Sequence, residues 1–261
     1  MGSGSRAWTP VAAYLYVLHL DGASLAWEYL RRNTLYQTDW REQAHRDSRF
    51  IQRWGLACPE NPAFDACMVQ PVWRTEPDAL LRIFADEGDA PTDAEPFSLW
   101  AIPGRKSLLH DGRRLLLTTV LGTRVLRMAI ANDVSDGHSF AYAIRSGPRA
   151  RARWQAVQEH LRALRVAEPV RRYALSPRPS RLAVLHMRAL QALDGRAAAA
   201  SHRDIAAAIF GDQRVAEDWH ADSELRAQVR HLLRRGNAFM RGDYRGLITQ
   251  GGGYSYGDQP H

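Results

Sequence analysis

The sequence predicts an α+β fold with helices toward both ends and a central antiparallel β-meander. Three observations carry that prediction. Apolar residues recur at helical spacing before residue 55 and again after residue 148. Alternation of large apolar with small residues is concentrated in 97–145. Within that stretch, Asp111-Gly112 is a hairpin cue. The chain has 261 residues, 45% of them hydrophobic and 24% charged, as in globular proteins that bury a sizeable core. The pattern divides it into a helical domain over 8–55, a loop-rich segment with the meander and a helix over 56–170, a helical domain over 171–248, and a disordered glycine-rich tail over 249–261.

The first helix can hold Pro10 in its first turn, with Ala13, Tyr14, Val17 and Leu18 on one face, and Asp21-Gly22 interrupts it. Ser24 suits the cap of a second helix that stops near Asn33, and a third spans roughly 39–52. Trp27, Tyr29, Tyr36 and Trp40 read as core packing, or as a surface that grips a partner. Prolines at 59, 62, 71, 77, 91 and 96 make the next stretch mostly loop, with short ordered pieces at 69–73 and 80–84 and a flexible acidic loop over 86–95. Strands are expected over 97–102, up to the Asp111-Gly112 turn, over 115–120 and 125–130 on either side of Gly122, and over 139–144. A helix over 148–164 places Trp154, Val157, Leu161 and Leu164 at core spacing. The basic, proline-bounded run 171–178 is the best internal boundary, and the helix after it ends at Asp194-Gly195.

The stretch 200–240 holds the candidate site. Ser201 with Asp204 three places on starts an alanine-rich helix that closes at Gly211. A second helix runs over 223–240, with Asp222 or Ser223 as its cap and Leu225, Val229, Leu232 and Leu233 as a buried stripe. Arg226, Arg230 and Arg234 follow another face at spacing four, beside Arg235. One helix packed on a scaffold while an arginine-bearing helix lies in the major groove is the arrangement of a helix-turn-helix. The separation from Gly211 to Ala221 makes any such unit a looped variant. In that reading Arg226 and Arg230 meet base edges, while Arg234, Arg235, His202 and Arg203 meet phosphates. Ser201 and Ser223 present helix N-terminal amides, which also suit phosphate. The competing reading is a solvated arginine face on an ordinary bundle helix. Trp219, between the two helices, is either a plug against the pair or a ring that stacks on a sugar or base.

Charge is unevenly spread along a chain of net charge +7. Residues 1–104 hold 9 basic and 14 acidic side chains, net −5; residues 105–165 hold 12 and 4, net +8; residues 171–245 hold 14 and 8, net +6. A basic second half fits a polyanionic partner. Lys106 is the only lysine, so nearly all of this charge is in planar guanidinium forks that match phosphates and guanine edges. No phosphate-cradling GK[ST] loop, HExxH or GxSxG pattern occurs, and Cys58 and Cys67 form no zinc-ligand spacing. The chain is therefore read as non-enzymatic, with no cofactor and no metal. The apolar run 11–18 is too short to span a bilayer, no signal peptide is expected, and a reducing cytoplasm is the expected compartment.

Leu25 to Asn33, with Tyr36 and Asp39-Trp40, resembles the N-terminal transcriptional-regulator-like domain of proteobacterial proteins. Ser201 to Ala206, Trp219-His220, Leu225-Arg226, Val229-Arg230, Leu232 to Arg235 and Gly242 to Ile248 together resemble the RovC-like DNA-binding domain, with Asp243 where relatives usually carry a second glycine. That family includes an activator of type VI secretion genes and activators of the excision and transfer of integrative and conjugative elements. The resemblance implies a sequence-specific transcription activator that binds double-stranded DNA and forms a homo-oligomer, with RNA polymerase or an antagonist protein as further partners. The alternative is a protein-interaction module that makes no direct contact with DNA.

Overall fold

The computed structural model describes residues 7–42, 47–75, 80–86, 88, 95–121, 124–166 and 179–249. Gly122, the run 171–178, most of the acidic loop and residues 250–261 lie outside them. The chain opens on a 3₁₀ helix, Val11–His19. Helix α1, Gly22–Leu30, follows, and all nine of its residues are buried. Asp21 caps it, accepting from the Ser24 backbone N–H at 2.7 Å, so Ser24 is a donor inside the first turn and not the cap. Asn33 accepts from Leu35 and Tyr36 to start α2, Thr34–Arg41, and Asp47 starts α3, Ser48–Trp54. The single helix expected over 39–52 is thus two, because two capping side chains each open their own segment. Trp27, Tyr29 and Tyr36 are fully buried, and Trp40 packs on the same cluster from its edge. These aromatics are core.

Five strands form one open sheet: β1 Leu81–Ala85, β2 Arg105–His110, β3 Arg114–Leu121, β4 Arg124–Ala131 and β5 Phe140–Ala143, in the order β2-β3-β4-β1-β5. Strands β2, β3 and β4 make a meander, and Gly112 at φ +88° turns the first hairpin while Asp111 accepts from the Arg113 and Arg114 amides. The expected all-antiparallel meander is corrected by β1, which inserts between β4 and β5, parallel to β4 and antiparallel to β5. Its sequence alternates, with Leu81 and Ile83 in the core. The strand expected over 97–102 is absent. Phe97 is pinned to the turn before β5 instead, donating to His138 O and accepting from Gly137, with its ring in the core.

Helix α4, Ala150–Val166, packs on the sheet through Val157, against Leu81, Leu126, Met128 and Ile130 among others. Its buried stripe runs through Ala156, Val157 and His160, which leaves Trp154 49% exposed rather than in the core. Helix α5, Arg181–Ala197, is capped by Ser180 and passes through Asp194-Gly195 instead of ending there. The glycine is needed for close packing: a Cβ on Gly195 would lie 2.9 Å from both Ile205 Cγ1 and Trp8 Cζ3. After α5 come α6 His202–Phe210, α7 Asp212–Asp218, α8 Glu224–Ala238, a π-type turn over Phe239–Asp243, and α9 Tyr244–Ile248.

The core is in three parts. Met187, Leu190 and Leu193 of α5 and Tyr244, Leu247 and Ile248 of α9 pack with the N-terminal helices. Other residues of α5, Ala189 and Ala192, join Trp8, α6, α7 and α8 in a second part, and the sheet with α4 forms the third. Buried arginines link them. Arg32 of the α1–α2 junction bonds Asp194 of α5 and Glu28 of α1, and Arg127 of β4 bonds Asp21, Ser24 and the Pro71 carbonyl.

Candidate nucleic-acid interface

Local rules build the start of α6. Ser201 Oγ accepts from the Asp204 amide at 3.2 Å, and Asp204 accepts from the Ser201 amide at 3.1 Å, which closes the expected capping box. Ile205, Ala206 and Ile209 face inward. Gly211, at φ +96°, ends the helix as expected, its amide bonded to Ala207 O. The connector expected from Gly211 to Ala221 is not an open loop: Asp212–Asp218 is α7, held by the buried Val215. Two adjacent apolar residues in seven, Val215 and Ala216, make no periodic stripe, so nothing in the sequence marks α7. Trp219 follows, half-buried against the α6–α8 core, in the position of a plug.

Helix α8 buries Leu225, Val229, Leu232 and Leu233, the expected stripe, and adds Gly236. A Cβ on Gly236 would lie 2.9 Å from Leu193 Cγ, so α8 sits tightly on α5. Ser223 caps α8, accepting from the Arg226 amide at 3.4 Å, and is only 3% exposed.

The candidate residues fall into distinct environments. Arg230 and Arg234 are exposed and have no hydrogen bond or ion pair with another described residue. Arg203, on α6, and Ser201, at its cap, are also exposed, and His202 is half-buried. Arg226 leans back on its own helix start: its Nη1 donates to Ala221 O at 3.0 Å and its guanidinium lies 5.9 Å from the Trp219 ring centroid. Arg235 is half-buried, 5.0 Å over the Phe239 ring, with Nε buried and unpartnered. Burial, with Arg235 nearby, pushes the His186 imidazole down to about 3, so it is neutral beside that arginine. Helical spacing gives no sign that Arg188 of α5 and Arg214 of α7 come together, yet their guanidiniums lie 5.3 and 5.9 Å from the Phe210 ring. Only contact across three helices reveals that grouping.

Among the described residues no group of three or more His, Cys, Asp or Glu could hold a metal ion, and no helix is long and apolar enough to cross a membrane. Residues 130–249, which contain every candidate residue above, match the RovC DNA-binding domain model, described as a type VI secretion (T6SS) transcription factor DNA-binding domain. Residues 7–59 match the proteobacterial transcriptional regulator-like domain, and 78–125 match a domain of unknown function. No curated protein matches the chain. From the end of β4 to α9 the chain is therefore similar to a transcription factor's DNA-binding domain, and across its N-terminal helices to a transcriptional regulator-like domain.

Proposed function

We propose that the chain is a sequence-specific double-stranded DNA-binding transcription regulator that lays α8 in the major groove as part of a helix-turn-helix-like unit. The observation that carries this reading is the division of α8. Its leucine stripe is buried against α5 and α6, while Arg230 and Arg234 are exposed and have no partner among the described residues. Arg230 contacts a base edge. Arg226, stacked near Trp219 at the helix start, does the same once it leaves Ala221 O. Arg234, Arg235, Arg203 and His202, with the helix starts at Ser201 and Ser223, hold phosphates. The regulator acts in the cytoplasm as an activator and as a homo-oligomer, because one such unit reads a short site and paired units read a longer one.

The test is selection of DNA fragments by the purified chain, followed by binding titrations on the enriched sequence. Arg230→Ala is expected to cost about 1–3 kcal/mol and to relax preference at one base position, whereas Arg234→Ala weakens all sequences alike. Affinity should fall steeply with salt, in proportion to the phosphates contacted. Unchanged binding in both variants would overturn the assignment. Binding that is absent at every salt concentration would favour the protein-interaction reading, for which Trp100 at 71% and Met68 at 65% exposure provide apolar surface.

A further inference from the structure

Helix α4 packs on the sheet through one side and turns another to solvent. The inward side carries Ala156, Val157 and His160, with Leu161 and Leu164 half-buried at its margin. At 100° per residue, Arg151, Trp154, Gln158, Arg162 and Arg165 fall within about 80° of arc on one flank of the helix. All but Gln158 are exposed, Trp154 by 49%. Arg151, Arg162 and Arg165 have no hydrogen bond, ion pair or ring contact with another described residue. The neighbouring arginines are used differently. Arg149 Nη2 donates to the Thr249 carbonyl just past α9, and Arg153 Nη1 donates to the carbonyls of Arg145 and Ser146. Folding thus leaves three guanidiniums and one indole in a row. Glu159, the only carboxylate of α4, lies off that row, beyond Arg162.

Length and chemistry narrow the partner. From Arg151 to Arg165 the row runs about 21 Å along the helix. A DNA duplex offers about six phosphates per strand over the same length. Guanidinium forks match phosphate oxygens in pairs and require no particular base. An indole at the edge of the row adds a flat apolar surface that packs on deoxyribose. A lipid surface asks for large apolar side chains all along the outer face, and a single strand asks for a succession of aromatic platforms. Trp154 is the only large exposed apolar side chain on α4. The helix also belongs to the sheet's part of the core, not to the part that holds α8. We propose that α4 is a second DNA-contacting surface, whose arginine row holds the sugar–phosphate backbone of duplex outside the stretch that α8 reads. The choice of partner rests on the DNA-binding reading above, to which the row adds a sequence-independent grip.

The test is fluorescence-anisotropy titration of the full chain at several salt concentrations, with the enriched duplex and with a random-sequence duplex of equal length. Arg151→Gln, Arg162→Gln and Arg165→Gln combined change three exposed side chains and should leave the melting temperature as it was. The triple variant should bind both duplexes at least about tenfold more weakly at low salt. Its salt slope should be shallower by about one per arginine removed, and its preference for the enriched sequence should be unchanged. Trp154→Ala should weaken both duplexes without altering the slope. The proposal is overturned if the triple variant keeps the affinity and slope of the unmodified chain, or if it loses sequence preference instead. It is equally overturned if single-stranded DNA, poly-glutamate or vesicles of anionic lipid bind through these arginines more tightly than duplex does. Arg230→Ala keeps the two readings apart. If α8 reads no sequence, that variant changes nothing while the triple variant still flattens the slope; if α4 stands clear of DNA, Arg230→Ala alone has an effect.

Discussion

Arg32 donates to Asp194 through Nε and Nη2 at 2.7 and 2.8 Å and to Glu28 through Nη1 at 2.6 Å, while Tyr14 adds a bond to Asp194 at 2.7 Å. Glu28 is fully buried. Burial by itself would raise the carboxyls of Glu28 and Asp194; Arg32 outweighs it and holds both below the usual carboxylate range. Breaking such a pair strands a buried charge, which costs more than the pair contributes. Arg32→Ala should therefore destabilise the chain by about 3–5 kcal/mol in urea unfolding. The pH dependence has a definite sign. Depressed carboxyls contribute stability above about pH 4 and lose it as acid protonates them. His186, held neutral down to about 3, works in the same direction. The unfolded chain takes up a proton that the folded chain refuses, so stability falls as pH drops below about 6.5. His186→Gln should remove about 1.4 kcal/mol per pH unit from the slope of stability between pH 6 and 4. A slope equal to that of the unmodified chain would exclude this account.

Helices α5, α6 and α8 meet where two glycines allow close approach. At Gly195 the obstacles to a Cβ are the Trp8 ring and Ile205, neither of which can swing aside freely. At Gly236 the obstacle is the buried Leu193, whose Cγ, Cδ1 and Cδ2 would lie 2.9, 3.1 and 3.2 Å from a Cβ. An alanine normally favours a helix over glycine by about 1 kcal/mol, so propensity predicts stabilisation at both positions. Overpacking reverses that at both, where a destabilisation of about 1–3 kcal/mol is expected. Thermal unfolding of Gly195→Ala and Gly236→Ala checks this: each should melt below the unmodified chain. The consequence for function is that α8, which carries the exposed arginines, is oriented by contacts to α5 that leave little play.

On the scale of the molecule, α1 is the hub. Its cap, Asp21, is also the partner of Arg127 from β4, at 3.0 Å, so one carboxylate starts the helix and ties the sheet to it. The two roles are separable. Asp21→Asn keeps a capping oxygen and loses the charge; Asp21→Ala loses both. The alanine variant should be less stable than the asparagine variant by about 1 kcal/mol, the worth of an N-cap, and equal melting temperatures would show that the cap contributes nothing here. Arg32 and Arg127 together make the N-terminal helices, the sheet and the C-terminal bundle one connected body, with polar ties where the three cores meet.

Features set within a few residues were legible before any coordinates: the caps at Ser201 and Ser223, the stop at Gly211, the stripe from Leu225 to Leu233, and the Asp111-Gly112 hairpin. Each depends on the backbone's own hydrogen bonds and on a period of two or about 3.6, which neighbouring residues specify. Long-range matters were not legible. Strand β1 reads as a short apolar run, and its place between β4 and β5 depends on partners roughly 45 and 60 residues away in a sheet that only the closed fold assembles. Helix α7 has too small an apolar face to announce itself. Above all, the chain's many arginines look alike in sequence. Folding sorts them into buried ties such as Arg32 and Arg127, side chains resting on rings such as Arg226 and Arg235, and the exposed pair Arg230 and Arg234. A guanidinium's role is set by what lies opposite it, and that is a property of the packed structure.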